Sequence, residues 1–227
     1  MMNHRQILSA LIVAGCLSAC TSATAGIVPF TDKTAFLAAV QPGYYLESFD
    51  SLTPNTTYPD TMNLSQGGFS YTIFAQGSPP NDGLLAVEDP FLPGDIWLSA
   101  NFDDVPMYIG NFTGGVSAVG GNFFLTNFDF DVIEALVTIV ASDGVNTESV
   151  PIVVANPLDF VGFVTTDGSS VLSVQFAAPG FSNYATLNDL IVGQAITVVP
   201  EPSGFVMMAI GLGLAGAAIR KRRNRTS

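Results

Sequence analysis

Between Gly26 and Val199 the chain keeps breaking into short apolar segments separated by Gly, Pro, Asn and Asp, and that punctuation decides its fold class. Nine segments read as strands: Tyr44–Phe49, Phe69–Ala75, Ile96–Ser99, Val116–Leu125, Ala135–Ala141, Ser149–Val154, Phe160–Thr165, Val171–Phe176 and Ala185–Ile196. Phe69, Tyr71 and Ile73 alternate with Ser70 and Thr72, the period of a strand with one face in a core. Leu136 to Val140 is nearly all apolar and reads as a strand central in a sandwich. Short strands at intervals of roughly 8–20 residues predict an all-β antiparallel β-sandwich of jelly-roll type. One short helix is expected first. Thr31 caps Asp32–Val40, Phe36, Leu37 and Val40 form the apolar face, and Pro42 with Gly43 ends it. The stretches 55–65 and 77–93 have the least regular pattern, and no internal repeat is visible.

What this domain can do chemically is bounded by what it lacks. From Gly26 to Val199 there are eighteen acids and one cation, Lys33, a net charge of −17. That segment holds no His, Arg or Cys. Ser-His-Asp and Cys-His catalysis are excluded, as are a thiol nucleophile and a disulfide. Zinc and copper sites of the imidazole or thiolate kind cannot be built. One lysine cannot track a phosphate backbone, so nucleic acid is not a partner. Oxygen ligands remain, and those suit calcium. No cofactor is required; calcium is the ion the residues favour.

Both ends of the chain read as export machinery. Arg5 precedes Ile7–Ala19, a 13-residue apolar run of signal-peptide length. Ala23-Thr24-Ala25 predicts cleavage before Gly26, which assigns 1–25 to a signal peptide. Leu17-Ser18-Ala19-Cys20 resembles a lipobox, which makes Cys20 a lipidation candidate; Val13-Ala14-Gly15-Cys16 is a poorer version. At the other end, Gly204–Ile219 carries no charge and predicts a transmembrane helix at the short end of what spans a bilayer. Arg220, Lys221, Arg222 and Arg223 form a membrane stop that stays cytoplasmic. Pro200 and Pro202 leave an extended segment just outside the span.

Pro200-Glu201-Pro202, the apolar run and the basic stop together resemble the PEP-CTERM sorting domain, which here covers 199–227 and leaves 26–198 as the ectodomain. The resemblance implies that Pro200, Glu201 and Pro202 are recognised by an exosortase-like membrane protease. It also implies a protein anchored through its C-terminus before processing, then delivered to the cell surface or extracellular matrix.

The ectodomain is similar to those found ahead of this tail, through Glu47-Ser48-Phe49-Asp50, Phe160-Val161-Gly162-Phe163 with Asp167-Gly168, and Leu187-Asn188-Asp189-Leu190-Ile191-Val192-Gly193. Such domains resemble jelly-roll carbohydrate-binding modules, which hold calcium between first and last strands. The implied metal ligands are Glu47, Asp50 and Asp189, helped by Asn188. A second acidic candidate, Asn127-Phe128-Asp129-Phe130-Asp131, has EF-hand 1-3-5 spacing but lacks the glycine at position six and the glutamate at position twelve. Asn101–Asp104 is a third cluster, with no recognisable geometry.

Sugar stacking requires exposed aromatics. Tyr58 and Tyr184 lie among turn formers and are the expected exposed rings, whereas Trp97, between Ile96 and Leu98, reads as core. Tyr44, Tyr45, Tyr71 and Tyr108 are the other tyrosines. Three functions follow. The first is a non-enzymatic surface or matrix protein of an exopolysaccharide biofilm. The second is a calcium-dependent carbohydrate-binding or adhesive module. The third is a two-carboxylate glycoside hydrolase, for which pairs such as Asp103 and Asp129 would serve.

Overall fold

A computed structural model describes residues 26–59, 61–75, 83–178, 180 and 182–196. The signal peptide with Cys20, the Pro200-Glu201-Pro202 signal, the predicted span 204–219 and the basic stop Arg220, Lys221, Arg222 and Arg223 lie outside these residues. Among the described residues no helix is long and apolar enough to cross a membrane.

The chain opens with β1 (Ile27–Phe30), α1 (Lys33–Ala38), β2 (Tyr45–Glu47), β3 (Thr56–Tyr58), β4 (Thr61–Gln66) and β5 (Phe69–Ala75). It continues through β6 (Leu84–Glu88), β7 (Ile96–Ala100), β8 (Met107–Thr113), β9 (Ala118–Thr126) and β10 (Val132–Ile133). The last elements are β11 (Ala135–Ser142), β12 (Thr147–Val154), β13 (Phe160–Thr165), β14 (Ser173–Phe176) and β15 (Tyr184–Gly193). They form two antiparallel sheets. One runs β1-β13-β9-β15-β7-β6-β3, with β10 on β9 and β2 on β15. The other runs β12-β11-β14-β8-β5-β4.

The sandwich follows from alternation. Phe123, Phe163 and Leu187 of the first sheet face Ile73, Ile139 and Phe176 of the second, all fully buried in one cluster. Phe123 meets Phe176 edge-on at 5.6 Å, bridging the layers. A second, smaller core lies on the other face of the nine-stranded sheet. There α1 inserts Phe36 against Val40, Ala118, Phe160, Val164, Ile191 and Ala195. Gly120 and Gly162 make the room: a Cβ on Gly162 would lie 2.5 Å from Phe36 Cδ2.

Several local expectations are corrected. The helix is shorter than Asp32–Val40, and its N-cap is Asp32, not Thr31: the Asp32 carboxylate accepts from Ala35 N at 2.7 Å. Asp and Thr both cap well, so the choice fell to where the chain leaves β1. The irregular stretches hold strands: β3 and β4 lie in 55–65 and β6 in 77–93. β4 does alternate, Met62 and Leu64 inward, but its outward Thr61, Asn63 and Ser65 suit an edge and mask the pattern. The run Leu136–Val140 is not buried on both faces, since Leu136 is 64% exposed. β11 sits second from an edge with its outer face uncovered.

Candidate functional site

Strands β2 and β15 lie side by side, with Glu47 opposite Leu190. The register of β15 shifts between Asn188 and Ile191, and Asp189 there adopts φ 53°. The bulge turns its carboxylate outward to Lys33 Nζ at 2.9 Å, with Asn122 Nδ2 at 3.4 Å from the same oxygen. Asn188 points elsewhere, donating to Asp95 Oδ1 at 3.0 Å. The other Asp95 oxygen accepts from Trp97 Nε1 at 3.2 Å, and Ile96 N donates to Asp50 Oδ1 at 3.2 Å. Glu47 accepts from Phe49 N at 3.0 Å and from the Tyr45 hydroxyl.

The four expected metal ligands are therefore near one another in the fold but committed to separate partners. Asp50 and Asn188 are joined through the 95–97 segment, Asp189 is paired with Lys33, and Glu47 is held by Tyr45. Among the described residues no group of three or more Asp, Glu, His or Cys is arranged to hold a metal ion. A cation at Asp189 would have to displace the lysine. Asp95 is the member that sequence reasoning missed. The signal was available: a buried indole N–H needs an acceptor, and Asp95 lies two residues before Trp97, on the same side of the strand.

The other acidic candidates close turns. Asn127 Oδ1 accepts from Asp129 N at 2.9 Å and Asp131 N at 3.0 Å, and Asn127 N donates to Asp131 O, so the segment joins β9 to β10. The 1-3-5 oxygens are thus set by a turn. Asp103 Oδ2 accepts from Ser182 N at 2.9 Å, and Asp104 N donates to Asn183 O. Asp103 and Asp129 therefore serve different loops. Asp143 in the β11–β12 turn is lowered to about 2, by the Asn146 backbone N–H first, then by its side-chain amide and the Val145 N–H. Asp167 is lowered by Ser169. Tyr45 and Tyr71 are both pushed far above the usual tyrosine range, by burial first, reinforced by Glu47. The buried Tyr71 hydroxyl makes no hydrogen bond of ordinary geometry.

Trp97 follows expectation, whereas Tyr58 and Tyr184 are half-buried rather than the exposed rings expected. Trp97 is core, fully buried and edge-on to Phe124 at 4.8 Å. Tyr58 is partly buried, its hydroxyl accepting from Thr53 N. Burial, then Asp103, raises Tyr184. The ring pair on an open sheet face is Phe74 and Tyr108, stacked at 5.0 Å with planes 10° apart. Gln175 Nε2 donates to the Tyr108 hydroxyl at 3.0 Å. Register places Val140, Gln175, Tyr108, Phe74 and Thr61 in one row across the outer face of the six-stranded sheet. The sequence held this signal too. Phe74 shares the phase of Ser70 and Thr72, and Tyr108 lies between the inward Met107 and Ile109.

At one end of the sandwich is a shallow groove of about 270 Å³, lined by the turn Gln41–Tyr44, Gly67, Gly68, Phe69, Gly114 and Gln194. Gly67 and Gly68, at φ 65° and 88°, form the tight turn between β4 and β5. No carboxylate lines the groove, so it offers no acid–base pair.

Residues 198–223 match the family model described as the PEP-CTERM protein-sorting motif. No curated protein matches the sequence. Among solved structures the chain is similar to family 29 carbohydrate-binding modules. Two mutant modules match at 14% and 15% identity, with TM-scores of 0.32 and 0.31, each over 64% of this chain and 99% of the module. A third structure matches at 13% identity and TM-score 0.22, over 77% of this chain and 89% of the module. Superposition this partial transfers neither ligand nor site.

Proposed function

We propose that this chain is an exported cell-surface or extracellular-matrix protein that works by binding, without catalysis, and whose partner is exopolysaccharide. The observation that carries the reading is the sorting motif at 198–223. It marks an exported chain held at the membrane through its C-terminus before processing. On this reading an exosortase-like membrane protease recognises Pro200, Glu201 and Pro202, while Arg220 to Arg223 hold the span against the cytoplasmic face.

The cargo supports the second half of the reading. A domain of net charge −17 with no His, Cys or Arg cannot build a Ser-His-Asp or Cys-His site or an arginine anion clamp. The groove at one end of the sandwich has no carboxylate lining. Such a surface stays soluble and self-repelling outside the cell. The test is co-sedimentation of the purified chain with exopolysaccharide from the producing cells, together with an assay for released reducing ends. Binding without release is expected. Release of reducing ends would replace the reading with a glycosidase, and absence of binding would remove exopolysaccharide as the partner.

A further inference from the structure

We infer that the outer face of the six-stranded sheet is a platform for an uncharged polysaccharide chain, a site assignment that rests on the exopolysaccharide reading above. The first reason is charge. Among the described residues, no outward position of β4, β5, β8, β11, β12 or β14 carries Asp, Glu, Lys or Arg, although the segment from Gly26 to Val199 has net charge −17. The exposed outward positions there are Ser, Thr, Asn, Pro and aliphatic residues, such as Thr61, Asn63, Thr138 and Ser149. A polyanion approaching this face meets the acidic loops at its margins, and a polycation finds no carboxylate on it. An uncharged chain meets neither obstacle.

The second reason is the aromatic pair. The 5.0 Å separation of Phe74 and Tyr108 matches the spacing of about 4.8 Å between neighbouring strands, so the rings stand side by side across the row. Their outer faces look toward Gln175 and Thr61. Thr61 is small, exposed and on the edge strand, so the far face of Phe74 opens over it. A pyranose ring presents flat C–H faces that pack on such a surface, and hydroxyls around its rim that need partners.

Those partners are the third reason. Gln175 with Tyr108, Thr72 with Asn63 at 2.9 Å, and Ser70 with Thr113 at 2.6 Å are neutral pairs already held in position. Each hydroxyl or amide keeps further donor or acceptor capacity, and groups tied in place lose little freedom on binding. A second copy of the chain is a poorer occupant, because pairing these faces brings two domains of −17 together.

The experiment uses the full chain in detergent micelles and exopolysaccharide from the producing cells, split by anion exchange into uncharged and acidic fractions. Phe74→Leu keeps apolar volume but removes the ring face; losing about 50 Å² of apolar contact corresponds to about tenfold weaker binding. Thr61→Asp puts a charge beside Phe74 at an exposed position, so its effect does not depend on the core. Wild type sedimenting with the uncharged fraction, with both variants weakened about tenfold, is the expected result. Wild-type binding that neither variant alters would overturn the platform and leave the exopolysaccharide reading standing. Binding of the acidic fraction alone would overturn the ligand class. A wild-type dimer dissolved by Thr61→Asp, seen by analytical ultracentrifugation, would assign the face to a second copy instead. Wild type binding neither fraction would defeat the parent reading and the platform together.

Discussion

Gly162→Ala should unseat the helix that covers the nine-stranded sheet. The added methyl would meet three ring atoms of Phe36, at 2.5, 2.8 and 2.9 Å. That ring is fully buried and cannot swing aside, because Phe30 lies edge-on at 6.0 Å and Phe160 tilts against it at 5.2 Å. Gly162 is not among the positive-φ glycines, so the cost is steric rather than conformational. Overpacking of this kind costs about 1–3 kcal/mol, and three close contacts with no escape put it near 3. For a domain of this size that lowers Tm by roughly 6–12 °C. Phe36→Ala alone should cost about 3–5 kcal/mol through the cavity it leaves. In the double variant the methyl added at Gly162 enters that cavity, so adding Gly162→Ala to Phe36→Ala should cost close to nothing. Urea unfolding of 26–198, followed by the fluorescence of Trp97, the chain's one tryptophan, measures all three. A coupling energy of about 2 kcal/mol or more is expected. Additive losses would show that Gly162 does not make room for Phe36.

Three further outcomes are expected. Asp143 is held at about 2 in the folded state against a usual 3.8, so its contribution to stability is present above about pH 4 and lost as pH falls toward 2. The Tm deficit of Asp143→Ala should therefore be full at pH 6 and shrink by pH 2; a deficit constant with pH would contradict the turn's role. Salt should stabilise the domain, since eighteen acids face one lysine: Tm should rise between about 10 and 150 mM NaCl, where screening shortens from about 30 to 8 Å. A flat or falling Tm would mean that self-repulsion does not limit stability. At Asp189, φ 53° tolerates Gly and opposes β-branching. Asp189→Val should be less stable than Asp189→Gly by about 1–2 kcal/mol in thermal unfolding, and equal stability would deny the strained bulge.

The two-layer architecture was legible because core strands alternate strongly: Phe69, Tyr71 and Ile73 mark β5 without ambiguity. Edge and outer strands were not. Thr61–Gln66 pairs with only one neighbour and faces solvent, so its residues satisfy an edge and resemble a loop. Leu136 and Val140 misled in the opposite sense, since an apolar run does not reveal which face goes uncovered. The resemblance to calcium-holding modules drew Glu47, Asp50, Asn188 and Asp189 together, and the structure does bring β2 and β15 side by side. The sequence could not show that a bulge turns Asp189 to Lys33, or that Asp95 takes Asn188. The Phe74–Tyr108 pair joins residues 34 positions apart, which alternation places on outer faces but only register places side by side.

The central claim is that the tail delivers a binding protein to exopolysaccharide outside the cell. The most direct measurement locates the chain in cells that make exopolysaccharide and in cells whose polysaccharide synthesis is blocked. Retention in the matrix of the first and release to the medium of the second is the predicted result. The same distribution in both would contradict it.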